Sequence, residues 1–327
     1  MTTSGQRPAR VLGDVGGTNV RFALQDGDDA PLHDIVTLPT GDFPSLGDAL
    51  AHYLKQIGRP APPWGAIGIA NPVTGDQVTM TNHHWSFSIA ELKRALGLER
   101  LVVVNDFTAL ALALPTLKPT ELQQLGGGAP VAGTPMALIG PGTGLGVSAL
   151  VPAWGDGRLT PLEGEGGHVT LAADDAREAE VIRELRAVYG HASAERALSG
   201  PGLEALHEAL CTLGGIAPVP HLTAAQISAA ALGHESPPTR AQCVEAVDLF
   251  CALLGSVAGN LALTLGARAG VYIGGGIVPR LGDLFTRSAF RERFEAKGRF
   301  RAYLEQIPVY VIHADVSPAL MGASRAL

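Results

Sequence analysis

The stretch Val11-Leu12-Gly13-Asp14-Val15-Gly16-Gly17-Thr18-Asn19-Val20-Arg21-Phe22 decides how the rest of the chain is read. Apolar β-formers flank a Gly-Gly pair, so 10–13 and 20–25 read as two strands joined by a turn, with 35–38 a possible third. A glycine turn can bend tightly and present several backbone N–H groups to an anion that a Cβ would keep away. Asp14 sits just before it. A carboxylate beside bound phosphate repels it unless a cation intervenes, so Asp14 implies Mg²⁺, held through water. Thr18 can donate its hydroxyl to a terminal phosphate. Taken alone, the turn reads equally as a plain hairpin.

Downstream, Gly142-Thr143-Gly144 repeats the device between apolar runs at 136–140 and 144–151. Gly274-Gly275-Gly276 closes a third run, 270–273, read as the last strand. Two turns of this kind facing each other would grip a triphosphate from both sides. The chain lacks G-x-x-x-x-G-K-[ST] and G-x-G-x-x-G, which excludes a P-loop and lowers the case for a dinucleotide fold. Strand-rich halves that each open on a glycine hairpin suggest a weak internal duplication, carried by architecture more than by letters.

Between the hairpins, 44–57 has helical periodicity and 66–70 reads as a buried strand ending at Asn71-Pro72. Ser88-x-x-Glu91 has capping-box spacing. The apolar run 101–104 leads into Asn105-Asp106 and a helix over 107–114. A carboxylate at the carboxyl end of such a strand faces the ligand crevice of an α/β sheet and can take a proton from a hydroxyl. As an isolated dipeptide, Asn-Asp reads more readily as a helix N-cap, Asp106 included. The segment 115–135 is loop-rich. Helices follow over 175–189, 202–213, from Thr223, and over 240–265. In Glu163-Gly164-Glu165-Gly166-Gly167-His168, small residues let Glu165 and His168 point at one ligand. Glu195 is a further candidate, with an exposed helix carboxylate as the alternative. Sugars need donors and acceptors of this kind. His83-His84 and His168 lack zinc-ligand spacing.

Composition bounds the rest. With 327 residues, 46% hydrophobic, the chain is large enough for two domains. A formal charge of −7 argues against a nucleic-acid partner. The 3 cysteines form no CxxC pair, and no apolar run precedes Val11, so reduced thiols in a cytoplasm and no export signal are expected. The uncharged stretch 249–267 is about long enough to span a bilayer, but Gly255, Ser256, Gly259, Asn260 and Thr264 mark it as a helix buried against neighbours; no membrane partner is expected.

At this point the letters resemble the bacterial glucokinases of the hexokinase, actin and heat-shock ATPase superfamily, the group without a zinc-binding cysteine motif. The resemblance rests on Gly13-Asp14-Val15-Gly16-Gly17-Thr18-Asn19, Met80-Thr81-Asn82-His83 with Trp85, and Asn105-Asp106-Phe107-Thr108-Ala109. It continues through Gly142-Thr143-Gly144-Leu145-Gly146, Gly164-Glu165-Gly166-Gly167-His168-Val169, Ser193-Ala194-Glu195-Arg196, Leu198-Ser199-Gly200-Pro201-Gly202 and Gly274-Gly275-Gly276-Ile277-Val278-Pro279-Arg280. It implies an α/β, two-lobed, ribonuclease H-like (actin-like ATPase) fold. A small α/β domain, 1–114 plus 314–327, and a larger α/β domain, 115–313, would flank a deep cleft.

The resemblance implies transfer of the γ-phosphate of MgATP to the 6-hydroxyl of glucose. Asp106 then matches the catalytic base, and Asn82, Asn105, Asp106, Glu165, His168 and Glu195 the glucose ligands. Asp14, Gly16, Gly17, Thr18, Asn19, Gly142, Thr143 and Gly144 match the phosphate loops, and Gly274, Gly275 and Gly276 the adenosine site. The family implies a homodimer. Three departures stand out: Glu163 where the family has Pro, His84 where it often has a small residue, and a C-terminal helix expected to be short or absent. The rivals are a kinase for another hexose, another phosphoryl donor, and a non-catalytic sugar-sensing regulator. About a dozen residues precede Asp14, so no helix-turn-helix is expected ahead of it.

Overall fold

The computed structural model describes residues 8–327 apart from 29, 82, 156, 315 and 316. The chain divides into two compact units: one runs up to Leu117 and resumes at Ala314, the other is Lys118–His313.

In the first unit the strands are β1 (Arg10–Val15), β2 (Asn19–Gln25), β3 (His33–Pro39), β4 (Trp64–Ile69), the short pair β5 (Gln77–Thr79) and β6 (Ser86–Ser88), and β7 (Arg100–Asn105). The helices are α1 (Leu46–Gln56), α2 (Ile89–Ala95) and α3 (Asp106–Ala113). The main sheet has the order β3-β2-β1-β4-β7. β2 runs antiparallel to β1, while β1, β4 and β7 are parallel and in register, Val15 opposite Ile69 and Ile69 opposite Asn105. Parallel strands must be buried on both faces, which is why 66–69 and 101–104 read as continuous apolar runs rather than alternating ones.

Different helices cover the two faces. Leu46, Leu50 and Tyr53 of α1 pack with Val11, Phe22 and Ile67 on one. On the other, Leu12 and Ala66 meet Ala109 and a C-terminal helix, Pro318–Arg325, through Leu320 and Ala323. That helix is short, as expected, yet it closes this side of the sheet. It approaches α3 so nearly that a Cβ on Gly322 would lie 1.6 Å from the Ala109 carbonyl oxygen. A buried polar knot ties the same helix to β1 and β2. The Arg10 guanidinium, fully buried, donates to Ser324 Oγ (3.2 Å) and pairs with Asp28 (2.8 Å), while Ser324 donates in turn to Gln25.

In the second unit the strands are β8 (Leu122–Gln124), β9 (Met136–Pro141), β10 (Leu145–Pro152), β11 (Leu159–Gly164), β12 (Val271–Ile273) and β13 (Val309–Ile312). The helices are α4 (Ala176–Tyr189), α5 (Gly200–Leu213), α6 (Ala224–Ala231), α7 (Arg240–Leu265), α8 (Ile277–Leu281), α9 (Asp283–Arg287), α10 (Phe290–Glu295) and α11 (Arg301–Glu305), so the C-terminal helix is α12. The sheet order is β11-β10-β9-β12-β13-β8. Its first five positions repeat the sense of the other sheet: two antiparallel pairs, then two parallel ones. The duplication suspected from the hairpins is therefore one of topology.

One sequence expectation needs correction. The strand at 270–273 is not the last, because β13 follows it; its four residues, all buried, are too short a run to stand out after a helix. The segment 115–135 is loop-rich as expected, with the short β8 inside it, and β11, for which no strand was expected, pairs with β10.

Local signals stop and start the helices as polar caps dictate. Ser45, Ser88, Asp175 and Ser199 each accept the N–H three residues on, and Thr223 with Gln226 forms a full capping box. Helix α7 ends on Gly266 in the left-handed region, φ 62°. It is the one described helix long and apolar enough to cross a membrane, yet 61% of its most apolar window is buried in the protein. It packs against α5, α6 and α10. Cys211, Cys243 and Cys251 are free and buried in this unit, and burial pushes the Cys251 thiol up to about 12. Replacing Gly322 with Val should lower the unfolding midpoint in urea and cost about 3 kcal/mol, the upper range for overpacking, since the Cβ meets backbone rather than a movable side chain.

Candidate active site

Parallel register gathers the first unit's polar residues at one sheet edge. The carboxyl ends of β1, β4 and β7 lie side by side, so Asp14, Asn71 and Asn105-Asp106 emerge there together. The turn after β1 is closed by a bond from Gly16 N–H to Asn19 O (2.9 Å). Thr40 braces it from outside, its N–H donating to Thr18 O (3.0 Å) and its hydroxyl to Gly17 O (2.8 Å). Among the described residues, the N–H groups of Gly17 and Thr18 have no hydrogen-bond acceptor, as a phosphate cradle requires. Neither Gly16 nor Gly17 has a positive φ. The turn therefore does not use the left-handed freedom of glycine; a Cβ on Gly16 would make a tight contact, 3.3 Å, with Asn19 O.

Asp14 is held by Ser317, whose hydroxyl donates to Oδ2 at 2.6 Å, and Arg21 Nη1 lies 3.9 Å away. Its side chain keeps 24% of its exposure, but the crowding of neighbouring atoms pushes the carboxyl above the usual Asp range, against the pull of Ser317 and Arg21. A carboxylate disfavoured by its surroundings gains from a nearby cation, so the site fits Mg²⁺ held at or near Asp14. Ser317 is 303 positions from Asp14. Its only sequence signal is that it precedes Pro318, a helix-start pattern that says nothing about a carboxylate.

The structure separates the two roles that Asn105-Asp106 presented. Asn105 is the cap of α3: its Oδ1 accepts from the N–H groups of Phe107 (2.9 Å) and Thr108 (3.2 Å). Asp106 is the first helical residue, so it is not the cap. Its Oδ1 accepts from Phe107 N–H at 2.9 Å. Asn105 Nδ2 donates weakly to Asn71 O, at 3.4 Å. Asn71, read from the sequence only as a strand end, supports this edge. Its Oδ1 accepts from the backbone and hydroxyl of Thr81 (3.1 and 2.8 Å), joining the Asn105 edge to the segment that leads to Asn82. The signal was its position at the end of a buried strand. Asn82 itself lies outside the described residues.

The second unit repeats the arrangement. Gly142 N–H bonds to Gly144 O (2.8 Å), closing the turn between β9 and β10. The N–H groups of Thr143 and Gly144 have no acceptor among the described residues. Gly274 N–H donates to Ile139 O, and a Cβ on Gly275 (φ 78°) would lie 2.2 Å from Pro141 O, so the third glycine cluster lies against the strand end that opens this turn.

Glu165 and His168 share one short 3-10 turn, their side chains each 60% exposed and 3.9 Å apart at the nearest nitrogen and oxygen. The glycine between them at 167 does more than clear space. A Cβ there would lie 2.2 Å from Leu145 O, so the turn rests directly on β10. Glu195 is neither in a helix nor exposed. It sits in an irregular turn, half-buried, and its Oε2 accepts from Leu145 N–H at 2.8 Å.

A glucokinase family model matches residues 11–327. The chain is 58% identical over 319 residues to the glucokinase of Aromatoleum aromaticum, covering 97% of this chain and 94% of that one. A crystal structure of glucokinase from an Antarctic psychrotroph superposes with a TM-score of 0.87 at 38% identity, over 98% and 99% of the two chains. A glucokinase of the ROK family from Streptomyces griseus, solved with glucose and AMPPNP, shares the fold at a TM-score of 0.64 and 19% identity, over 97% and 98%.

Since the Asp14 carboxyl titrates above its unfolded value, its own contribution to stability falls as pH rises from the ordinary Asp range through the raised one. Asp14→Asn is therefore expected to match the wild type at low pH and exceed it at pH 7, when both are unfolded in EDTA at each pH. Loss of stability in the variant at pH 7 would contradict this account of Asp14.

Proposed function

Since the chain belongs to the glucokinase family, we propose that it transfers the γ-phosphoryl group of ATP to the 6-hydroxyl of D-glucose, giving glucose 6-phosphate and ADP. The observation that best supports this is the in-register sheet edge of the first unit. It brings a carboxyl beside a turn with unsatisfied N–H donors, and another at the head of a helix, to the same sheet edge with only β4 between their strands. Phosphoryl transfer needs a cradle for phosphate and a base for the acceptor, and little covalent chemistry besides.

In this reaction Asp106 accepts the proton of the 6-hydroxyl as that oxygen attacks the γ-phosphorus in line. The bond to the β–γ bridging oxygen breaks and ADP leaves. Asn105 has committed Oδ1 to its cap, so Nδ2 is what it offers a sugar hydroxyl. Glu165, His168 and Glu195 supply further acceptors and donors, with Asn82 as an additional sugar ligand. The N–H groups at Gly17, Thr18, Thr143 and Gly144 donate to phosphate oxygens, in turns shaped by Gly16, Asn19 and Gly142. Gly274, Gly275 and Gly276 receive the adenosine. Asp14 would hold Mg²⁺, through water, and the ion would supply neutralisation of phosphate charge during transfer.

The glucose and AMPPNP bound by the Streptomyces griseus enzyme support these two substrates. A homodimer in the cytoplasm is proposed on family membership alone.

General-base assistance is worth about 10²- to 10⁴-fold. Asp106→Asn is accordingly expected to bind glucose with nearly unchanged affinity by calorimetry and to lose at least about 10²-fold in kcat when ADP release is followed by a coupled assay. Near-normal turnover would remove Asp106 from the role of base. Chelation of divalent cations should abolish turnover in the wild type, and added Mg²⁺ should restore it.

A further inference from the structure

Glu195 is bonded on every side to the second glycine turn and its supports. Oε2 accepts the N–H of Leu145 (2.8 Å), the residue that ends the turn. The backbone N–H of Glu195 donates to Gly167 O (2.8 Å), next to His168. Its carbonyl accepts the hydroxyl of Ser199 (2.8 Å), the cap of α5, and the first residue of that helix, Gly200, donates its N–H to Gly142 O (2.8 Å). The chain thus closes a ring: turn, carboxylate, helix cap, turn. The contact is direct, because a Cβ on Gly144 would lie 2.5 Å from Oε2. Only Oε2 is engaged among the described residues, which leaves Oε1 for a ligand hydroxyl.

We propose that Glu195 is a positioning residue that couples sugar occupancy to the phosphate-binding turn Gly142-Thr143-Gly144, so that sugar and nucleotide each tighten the binding of the other. The inference rests on the reading that Glu195 meets the sugar. Its sign follows from charge. A carboxylate packed on the turn repels phosphate, and a hydroxyl donating to Oε1 draws off part of that negative charge. The same hydroxyl fixes the rotamer that keeps Oε2 on Leu145, so the turn amides stay aimed where phosphate binds.

Coupling of this kind is reciprocal and typically about 5- to 150-fold. Calorimetry of the wild-type protein with D-glucose, AMPPNP and Mg²⁺ should show AMPPNP binding at least about fivefold tighter at saturating glucose, and glucose tighter by the same factor at saturating AMPPNP. In Gly144→Ala the new Cβ meets only the movable end of Glu195. That variant is expected to fold, and whatever its affinity for each ligand singly, its factor, a ratio within the variant, should fall to within about twofold of unity. A purely structural role for Glu195 would lower the melting temperature and leave the factor intact. In the wild type, glucose alone should also slow hydrogen exchange of the Leu145 amide. Independent binding in the wild type, full coupling in Gly144→Ala, or a Leu145 amide indifferent to glucose each overturns the proposal. Failure of the wild type to bind glucose at all would overturn the functional reading beneath it, and this inference with it.

Discussion

The in-register parallel pairing of Val15, Ile69 and Asn105 is the constraint on which the first unit's chemistry depends. Parallel strands start and finish together, so one register choice sends three strand ends to the same edge. A slip of one residue would turn every side chain to the opposite face and bury Asp14 or Asn105 in the apolar layers. The apolar faces forbid that slip: Leu12 and Ala66 fit only the α3–α12 side, Val11 and Ile67 only the α1 side. Packing of the apolar faces therefore enforces the placement of the polar groups at this edge. The second unit solves the same problem with β9, β12 and β13.

Several of the residues with the most chemical potential are held by backbone rather than by other side chains. Asn105 spends one amide oxygen on two N–H groups of α3, and Glu195 one carboxylate oxygen on Leu145. Glu195 keeps Oε1 for a ligand, and Asn105 keeps the Nδ2 hydrogen that does not reach Asn71 O. Backbone partners move less than side chains, and a group already oriented loses less entropy when a ligand arrives. Asp14 is the exception. It leans on a Ser317 hydroxyl and sits where ionisation is disfavoured, a local cost that the fold tolerates and that a cation would relieve.

The C-terminal segment has a structural part out of proportion to its length. Helix α12 lies against α3, the helix that begins at Asp106, while Ser317 at its head reaches Asp14 and Ser324 at its tail reaches Arg10 and Gln25. One short helix thus touches the elements that carry both carboxylates. The closest approach, at Gly322, leaves no room for a side chain.

Much of the fold could be read from the letters because its signals are local. Glycine turns between β-formers, apolar runs and polar caps identified both hairpins, the central strands and the long helices, and the motif order identified the family. What escaped were features without a local signal. β13 is four residues long, and its strand identity comes from partners far along the chain, at 271–273 and 122–124; β11 is mostly exposed and gains its strand identity by pairing with β10 just before it. The sequence located Asn105, Asp106 and Glu195 as candidates but left each balanced against a cap or a solvent-facing helix position. Tertiary structure decided those cases: Asn105 takes the cap, which Asp106 does not, and Glu195 meets the turn at Leu145, 50 positions away. The Ser317–Asp14 bond spans 303 positions and was invisible for the same reason. A sequence records which groups are present and what their neighbours along the chain favour. Which oxygen meets which N–H across the fold is set by packing, and packing exists only once the chain has closed on itself.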